Sequence, residues 1–155
     1  MTHSAVATVQ AALRAAGIDT ELRPLSEPVP TAAAAAAVLG CEVGAIANSL
    51  VFREADEPLL VLASGAHRVD TAGLARRLAT GKIRRATPDF VFEHTGQRVG
   101  GVAPVGHPRR VRTIIDTALA AFGEVWAGGG DEFTMFATSF GQLLAVTGGT
   151  AVEVA

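Results

Sequence analysis

Two apolar runs near the middle of the chain, "IANSLVFRE" from Ile46 and "PLLVLASG" from Pro58, are separated only by the polar "ADE". Both are rich in residues that fit a pleated surface, and a link this short joins neighbouring antiparallel strands. A hairpin is therefore expected here, and the rest of the chain must pack around it. Before it, Val6, Val9, Leu13 and Ala16 recur at helical steps between Ser4 and a terminating Gly17, and Thr31 stands as N-cap to "AAAAAAVLG" with Gly40 as its C-terminal glycine. After it, Asp70 or Thr71 caps "TAGLARRLA", and Thr87 with Pro88 at the first helical position opens "PDFVFEHTG". Ser139 and Gln142 form a capping-box pair ahead of a helix ending at Gly148. Further strands are expected at Thr20–Arg23, "KIRRA", "RRVRTIID", "EVWAGGG", "EFTMFAT" and "AVEVA", with "TALAAF" as a short helix. Helices and strands mix without strict alternation. This predicts an α/β, α+β-like fold: one domain over 1–155 with a mixed central sheet and flanking helices.

Composition narrows the classes. Apolar residues make up 49% of the chain and charged ones 18%, which is incompatible with a mainly disordered protein. Cys41 is the only cysteine, so an internal disulfide and a cysteine-based zinc cluster are excluded. The N-terminus has no basic-then-apolar leader pattern, and no run of about 18 apolar residues exists to span a bilayer. A cytoplasmic protein without a membrane partner is expected. The net charge of −2 is segregated: Arg53 to Arg112 holds 11 Lys and Arg against 6 Asp and Glu, while both flanks are acidic. Such a section either binds a polyanion or is spread over solvated faces.

Few residues point to conventional chemistry. His3, His67, His94 and His107 form no metal-ligand spacing, and no metal or organic cofactor is expected. Ser64 lies outside any GxSxG, and a triad drawn from Ser64, His107 and Asp116 carries little weight because any chain of this size permits one. Two glycine clusters are more unusual: "RVGGVAPVGHP" from Arg98 to Pro108, and Gly128–Gly130 in "AGGGDEF". The first exposes main-chain N–H groups and allows close approach of a ligand, or is a plain surface loop; the second is a turn between strands or a pocket wall. Asn48 is the odd residue of the hairpin, an amide that needs partners at the mouth of an apolar strand.

Taken in order, "AIANSLVF", "LVLASGAHRVD", "KIRRATPDFVFEHTG", "VGGVAPVGH", "RTIID", "EVWAGGG" and "FATSFGQLLAVTGGTAVEV" resemble the YbaK/EbsC family of aminoacyl-tRNA deacylases, related to the editing domain of bacterial prolyl-tRNA synthetases. The resemblance implies hydrolysis of the ester of a mischarged tRNA, with tRNA-Pro as a candidate, the tRNA 3′ end as ligand and a synthetase as a candidate partner. It assigns the catalytic region to Asn48 and the loop Gly100, Gly101, Val102, Ala103 and Pro104, whose main chain holds the aminoacyl group and the attacking water. Substrate binding would add Gly65, Gly106, His107, Gly128, Gly129 and Gly130. Two positions depart from the family pattern. Asn48 stands where many members carry lysine, and Gly129-Gly130-Asp131 stands where alanine-specific domains place a histidine. The alternative is a module of the same fold that binds an aminoacyl-tRNA or a nucleotide and is inactive because of Asn48; a vestigial pocket is the blandest alternative.

Overall fold

The computed structural model describes residues 4–155; His3 lies outside them. The elements run α1 (Ala5–Ala15), β1 (Arg23–Pro24), α2 (Ala32–Leu39), β2 (Ile46–Glu54), β3 (Glu57–Ser64), α3 (Thr71–Leu78), β4 (Ile83–Arg85), α4 (Pro88–Thr95), β5 (Arg112–Asp116), β6 (Val125–Gly128), β7 (Thr134–Thr138), α5 (Phe140–Thr147) and β8 (Thr150–Val152). Short 3-10 turns occupy Val43–Ala45 and Thr117–Ala121.

The helices begin where their capping chemistry puts them. Ser4, Thr31, Asp70, Thr87 and Ser139 each accept, through a side-chain oxygen, the N–H three residues on. The box at Ser139 is half made, because Gln142 accepts the Thr138 hydroxyl instead of reaching back. "TALAAF" forms only a 3-10 turn, held by Asp116 Oδ1 accepting the Ala118 N–H. The strand expected at Thr20–Arg23 shrinks to Arg23–Pro24, and Thr20 docks by its hydroxyl, which donates to Ala137 C=O at 2.8 Å.

β2 and β3 pair antiparallel from Ala47↔Ser64 to Glu54↔Glu57, closed by Ala55 and Asp56 with Ala55 at φ +51°. The sheet order is β1-β7-β6-β2-β3-β5-β8, with β4 paired to β2 off this path. β2 with β6, β3 with β5 and β5 with β8 run parallel; the other pairs are antiparallel. Leu59 to Ala63 are all buried, as a strand covered on both faces requires. On one face, Leu60, Leu62, Ile115, Ala127 and Phe136 pack under α1, α4 and α5. On the other, α3 sets Leu74 over Val61, Ala63 and Ile114, and α2 sets Ala35 and Ala36 over Ile46 and Met135.

Candidate functional site

The outer edge of β2 changes partner along its length. It meets β6 at Ile46 and Ala47 and β4 at Phe52 to Glu54, leaving Asn48 to Val51 without a strand on that side. Gly65 N–H donates to Ile46 C=O at 2.8 Å, so Ile46 turns its main-chain groups toward β3. Alternation in an antiparallel pair then turns those of Ser49 and Val51 the other way, into the gap. A strand edge inside the fold offers donors and acceptors to whatever enters.

A cleft of about 240 Å³ occupies this gap. Asn48, Ser49 and Leu50 form one wall, Gly100 and Val102 another, and Thr31 and Ala32 at the start of α2 close one end. Val29, Ile46 and Met135 make much of its surface apolar, and no ionisable side chain lines it. Asn48 is half-buried, and its amide makes no hydrogen bond within the described residues. Ser49 Oγ is buried there and also unpartnered.

The glycine-rich loop is held from behind by Gln97, which is buried. Gln97 Oε1 accepts the Ala103 N–H at 2.6 Å and Nε2 donates to Val105 C=O at 3.0 Å. Its own N–H donates to Thr95 Oγ1 at 3.0 Å, tying the loop to the end of α4. His107 Nε2–H donates to Ala103 C=O at 2.9 Å, which requires the proton on that nitrogen. Burial pulls the His107 pKa below the ordinary histidine value, partly opposed by that hydrogen bond. Ala103 is thus fixed at both its N–H and its C=O, while the N–H groups of Gly100 and Val102 have no protein acceptor among the described residues.

The two glycine clusters pack on each other. A Cβ on Gly101 would lie 2.5 Å from the Asp131 main chain, and one on Gly128 would lie 2.8 Å from Val102 O. Main chain meets main chain here, and only glycine allows it.

Of the sequence-derived candidates, Asn48, Gly100, Val102 and Gly128 line the cleft together. Gly101 lies behind it against Asp131, and Ala103 beneath it. Pro104, Gly106 and His107 line a separate surface depression near α1 and α5. Gly65 packs under Val43 and Ala32; Gly129 donates to Thr134 C=O at 2.8 Å; Gly130 abuts α1 at Ala5. The drawn triad does not assemble through His107. Asp116, fully buried, accepts Ser64 N–H at 3.0 Å and Ala118 N–H at 2.9 Å, and His67 Nδ1 lies 2.8 Å from its Oδ2. Ser64 Oγ donates to Gly44 C=O at 2.8 Å, so it serves the backbone. Two residues of the site escaped the sequence reading. Ser49 was visible as a hydroxyl beside Asn48 in an apolar run, whereas Gln97 carried no local signal. Among the described residues, no group of three or more His, Cys, Asp and Glu comes together as a metal site, and no helix is long and apolar enough to cross a membrane.

A mixed sheet with helices on both faces, and a largely apolar cleft beside the unpaired stretch of β2, define an α/β domain. Residues 26–145 match the model of the aminoacyl-tRNA editing domain, and the chain belongs to that family. It is 36% identical to a solved structure described as a proposed trans-editing enzyme for prolyl tRNA synthetase, with a TM-score of 0.92 over 99% of this chain and 98% of that one. YwhH of Bacillus subtilis, an uncharacterized protein, is 34% identical over 99 residues, covering 63% of this chain and 62% of YwhH. A proline–tRNA ligase of Bacillus licheniformis is 31% identical over 117 residues, 73% of this chain and 20% of the ligase. The chain thus spans less than two thirds of these two curated relatives.

Proposed function

We propose that the protein hydrolyses the ester of a mischarged tRNA in trans, with tRNA-Pro as the acceptor and the cytoplasm as its setting. The carrying observation is that Asn48, Gly100 and Val102 line one cleft, while the N–H groups of Gly100 and Val102 have no acceptor among the described residues. Water adds to the ester carbonyl, the acyl–oxygen bond breaks, and the terminal ribose leaves as an alcohol while the amino acid leaves as its acid. The developing oxyanion needs donors already in place, and main-chain N–H groups supply them without reorganisation. Main-chain carbonyls of the same loop orient the water. The apolar walls and the lack of ionisable lining favour an uncharged amino acid.

That same lack favours a second reading, a binding module without chemistry, because neither a general base nor the family's lysine stands in the cleft. A panel of mischarged tRNAs incubated with micromolar protein separates the two. Release of an uncharged amino acid from one or more members is expected; no release from any member ends the enzyme reading, and retained tRNA binding would then leave the module. Asn48→Lys is expected to tighten tRNA binding through a charge-assisted contact. Unchanged binding and turnover would remove Asn48 from the site.

A further inference from the structure

Much of the basic section of the sequence, Arg53 to Arg112, gathers at one end of the sheet. β2 ends there and β3 begins, with β4 against β2 on one side and the start of β5 against β3 on the other. A groove of about 630 Å³ at this end carries Arg53, Lys82, Arg84 and Arg85 with Glu54 and Asp56. A second depression, of about 330 Å³, shares Glu54 with it and carries Glu57, Arg110 and Arg112. Arg110 also borders a third, where Arg109 joins it beside His107. We propose that this end of the sheet is the docking surface for an RNA duplex, holding the sugar-phosphate backbone of the acceptor stem while the 3′ end reaches the cleft. This rests on the tRNA reading above and adds which face of the protein the stem lies on.

Four observations carry it. First, the charge is one-sided. Seven cations stand with three carboxylates, a formal +4 on a chain whose net charge is −2, so the remainder carries −6. A field of this kind draws a polyanion to one face and orients it there. Second, the cations are available. Asp56 Oδ1 holds Arg53 at 2.7 Å, and Arg53 Nε donates to Ala55 C=O. The other six are exposed and make no side-chain hydrogen bond or ion pair among the described residues. Five of those six are arginines, whose planar forks fit phosphate oxygens. Third, the chemistry does not suit a protein partner. The first groove is lined by charged residues apart from Ala55 and Gly81. Protein interfaces deplete charge at their centre and place aromatic anchors there. Fourth, the dimensions fit. From β4 across β2 and β3 to β5 is three strand spacings, roughly 14 Å, a width that meets backbones on both sides of a duplex groove. Arg85 pairs with Phe52, four residues along β2 from Asn48 and roughly 13 Å away at the ordinary rise. Arg85 also lines the cavity that adjoins the cleft through Leu50, Val99 and Val102, so a chain leaving the cleft along β2 meets cations first.

The test measures anisotropy of a labelled, uncharged tRNA-Pro acceptor hairpin over a range of salt concentrations. With three or more phosphates neutralised, log K should fall against log[salt] with a slope of about −2 or steeper. Arg84→Glu combined with Arg112→Glu should flatten that slope by about 1 or more and weaken binding about tenfold or more at physiological salt. Lys82→Glu combined with Arg110→Glu should do the same, and it keeps the test decisive if the first pair fails to fold. Arg23→Glu combined with Arg68→Glu makes the same change of net charge away from this end of the sheet and should bind as wild type does. With a responsive mischarged tRNA, the first two pairs should raise KM and leave kcat unchanged, a split that loss of fold does not produce. A shallower wild-type slope, no binding by the wild type, wild-type binding by a folded Arg84/Arg112 or Lys82/Arg110 pair, or an equal loss in the Arg23/Arg68 pair would overturn the proposal. So would loss of binding to a prolyl-tRNA synthetase with RNA binding intact, which would give the surface to a protein. Hydrolysis that both pairs leave unaffected would strike this surface and keep the enzyme; steep salt dependence lost in the pairs, with no hydrolysis by the wild type, would do the reverse.

Discussion

Replacing Gln97 by methionine probes what holds the glycine-rich loop in shape. The two side chains are similar in length and bulk, so the change removes hydrogen bonds without opening a large cavity. Gln97 is 2% exposed, and its amide satisfies the Ala103 N–H and the Val105 C=O. Leaving a buried polar group unpaired costs about 1–3 kcal/mol. Two such groups, offset by no longer burying the amide, give a net loss of about 2–4 kcal/mol. For a domain of this size each kcal/mol moves the midpoint by about 2–4 °C, so a drop of roughly 4–16 °C is expected. Thermal unfolding followed by circular dichroism reads this directly. Deacylation of the responsive mischarged tRNA should fall more than tRNA binding does, since loop geometry matters most for donors aimed at the reacting carbonyl. A Gln97→Met protein that melts within 1–2 °C of wild type, on the order of the smallest single-bond effect, would refute the claim that this side chain holds the loop.

Three smaller perturbations test other parts of the structure. Gly101→Ala should destabilise strongly, because the methyl has only main chain to displace at Asp131; wild-type stability in urea would show that the two loops separate freely. Ala79 ends α3 at φ +54°, where glycine carries no Cβ penalty, so Ala79→Gly should raise stability by about 0.5–1 kcal/mol despite its looser unfolded chain, and a lowered denaturation midpoint would contradict that. His107 has a lowered pKa in the fold, so its contribution is full above the ordinary value of 6.5 and declines as pH falls below it toward the folded value, the unfolded chain binding the proton more readily. The unfolding free energy of wild type relative to His107→Asn should therefore shrink between pH 7.5 and 5, and a constant difference would rule out this titration.

What was legible in the sequence was local. Five helix starts were readable from Ser4, Thr31, Asp70, Thr87 and Ser139, because each cap acts within three residues. The β2–β3 hairpin was readable because its partners are adjacent in the chain. The parallel pairing of Ile46 with Trp126 was not, since nothing near either residue encodes the other. The gap on β2 depends on that pairing ending at Ala47, so the site itself was invisible even though Asn48 drew notice. The glycine clusters were seen as two separate loops for the same reason: Gly101 and Gly128 are glycines because of contacts with residues far along the chain. The resemblance to editing domains compensated for part of this by placing the loop and Asn48 in one region.

The unpaired stretch of β2 has a consequence for how this protein can change over generations. Donors and acceptors that belong to the backbone at Ser49 and Val51 are encoded by every amino acid except proline, which lacks the N–H. Single codon changes that swap side chains therefore leave that hydrogen-bonding frame in place while altering the walls around it at Val29, Ala35 or Met135. Such an arrangement lets descendants drift among neutral ligands of different shape without first losing the means to hold one.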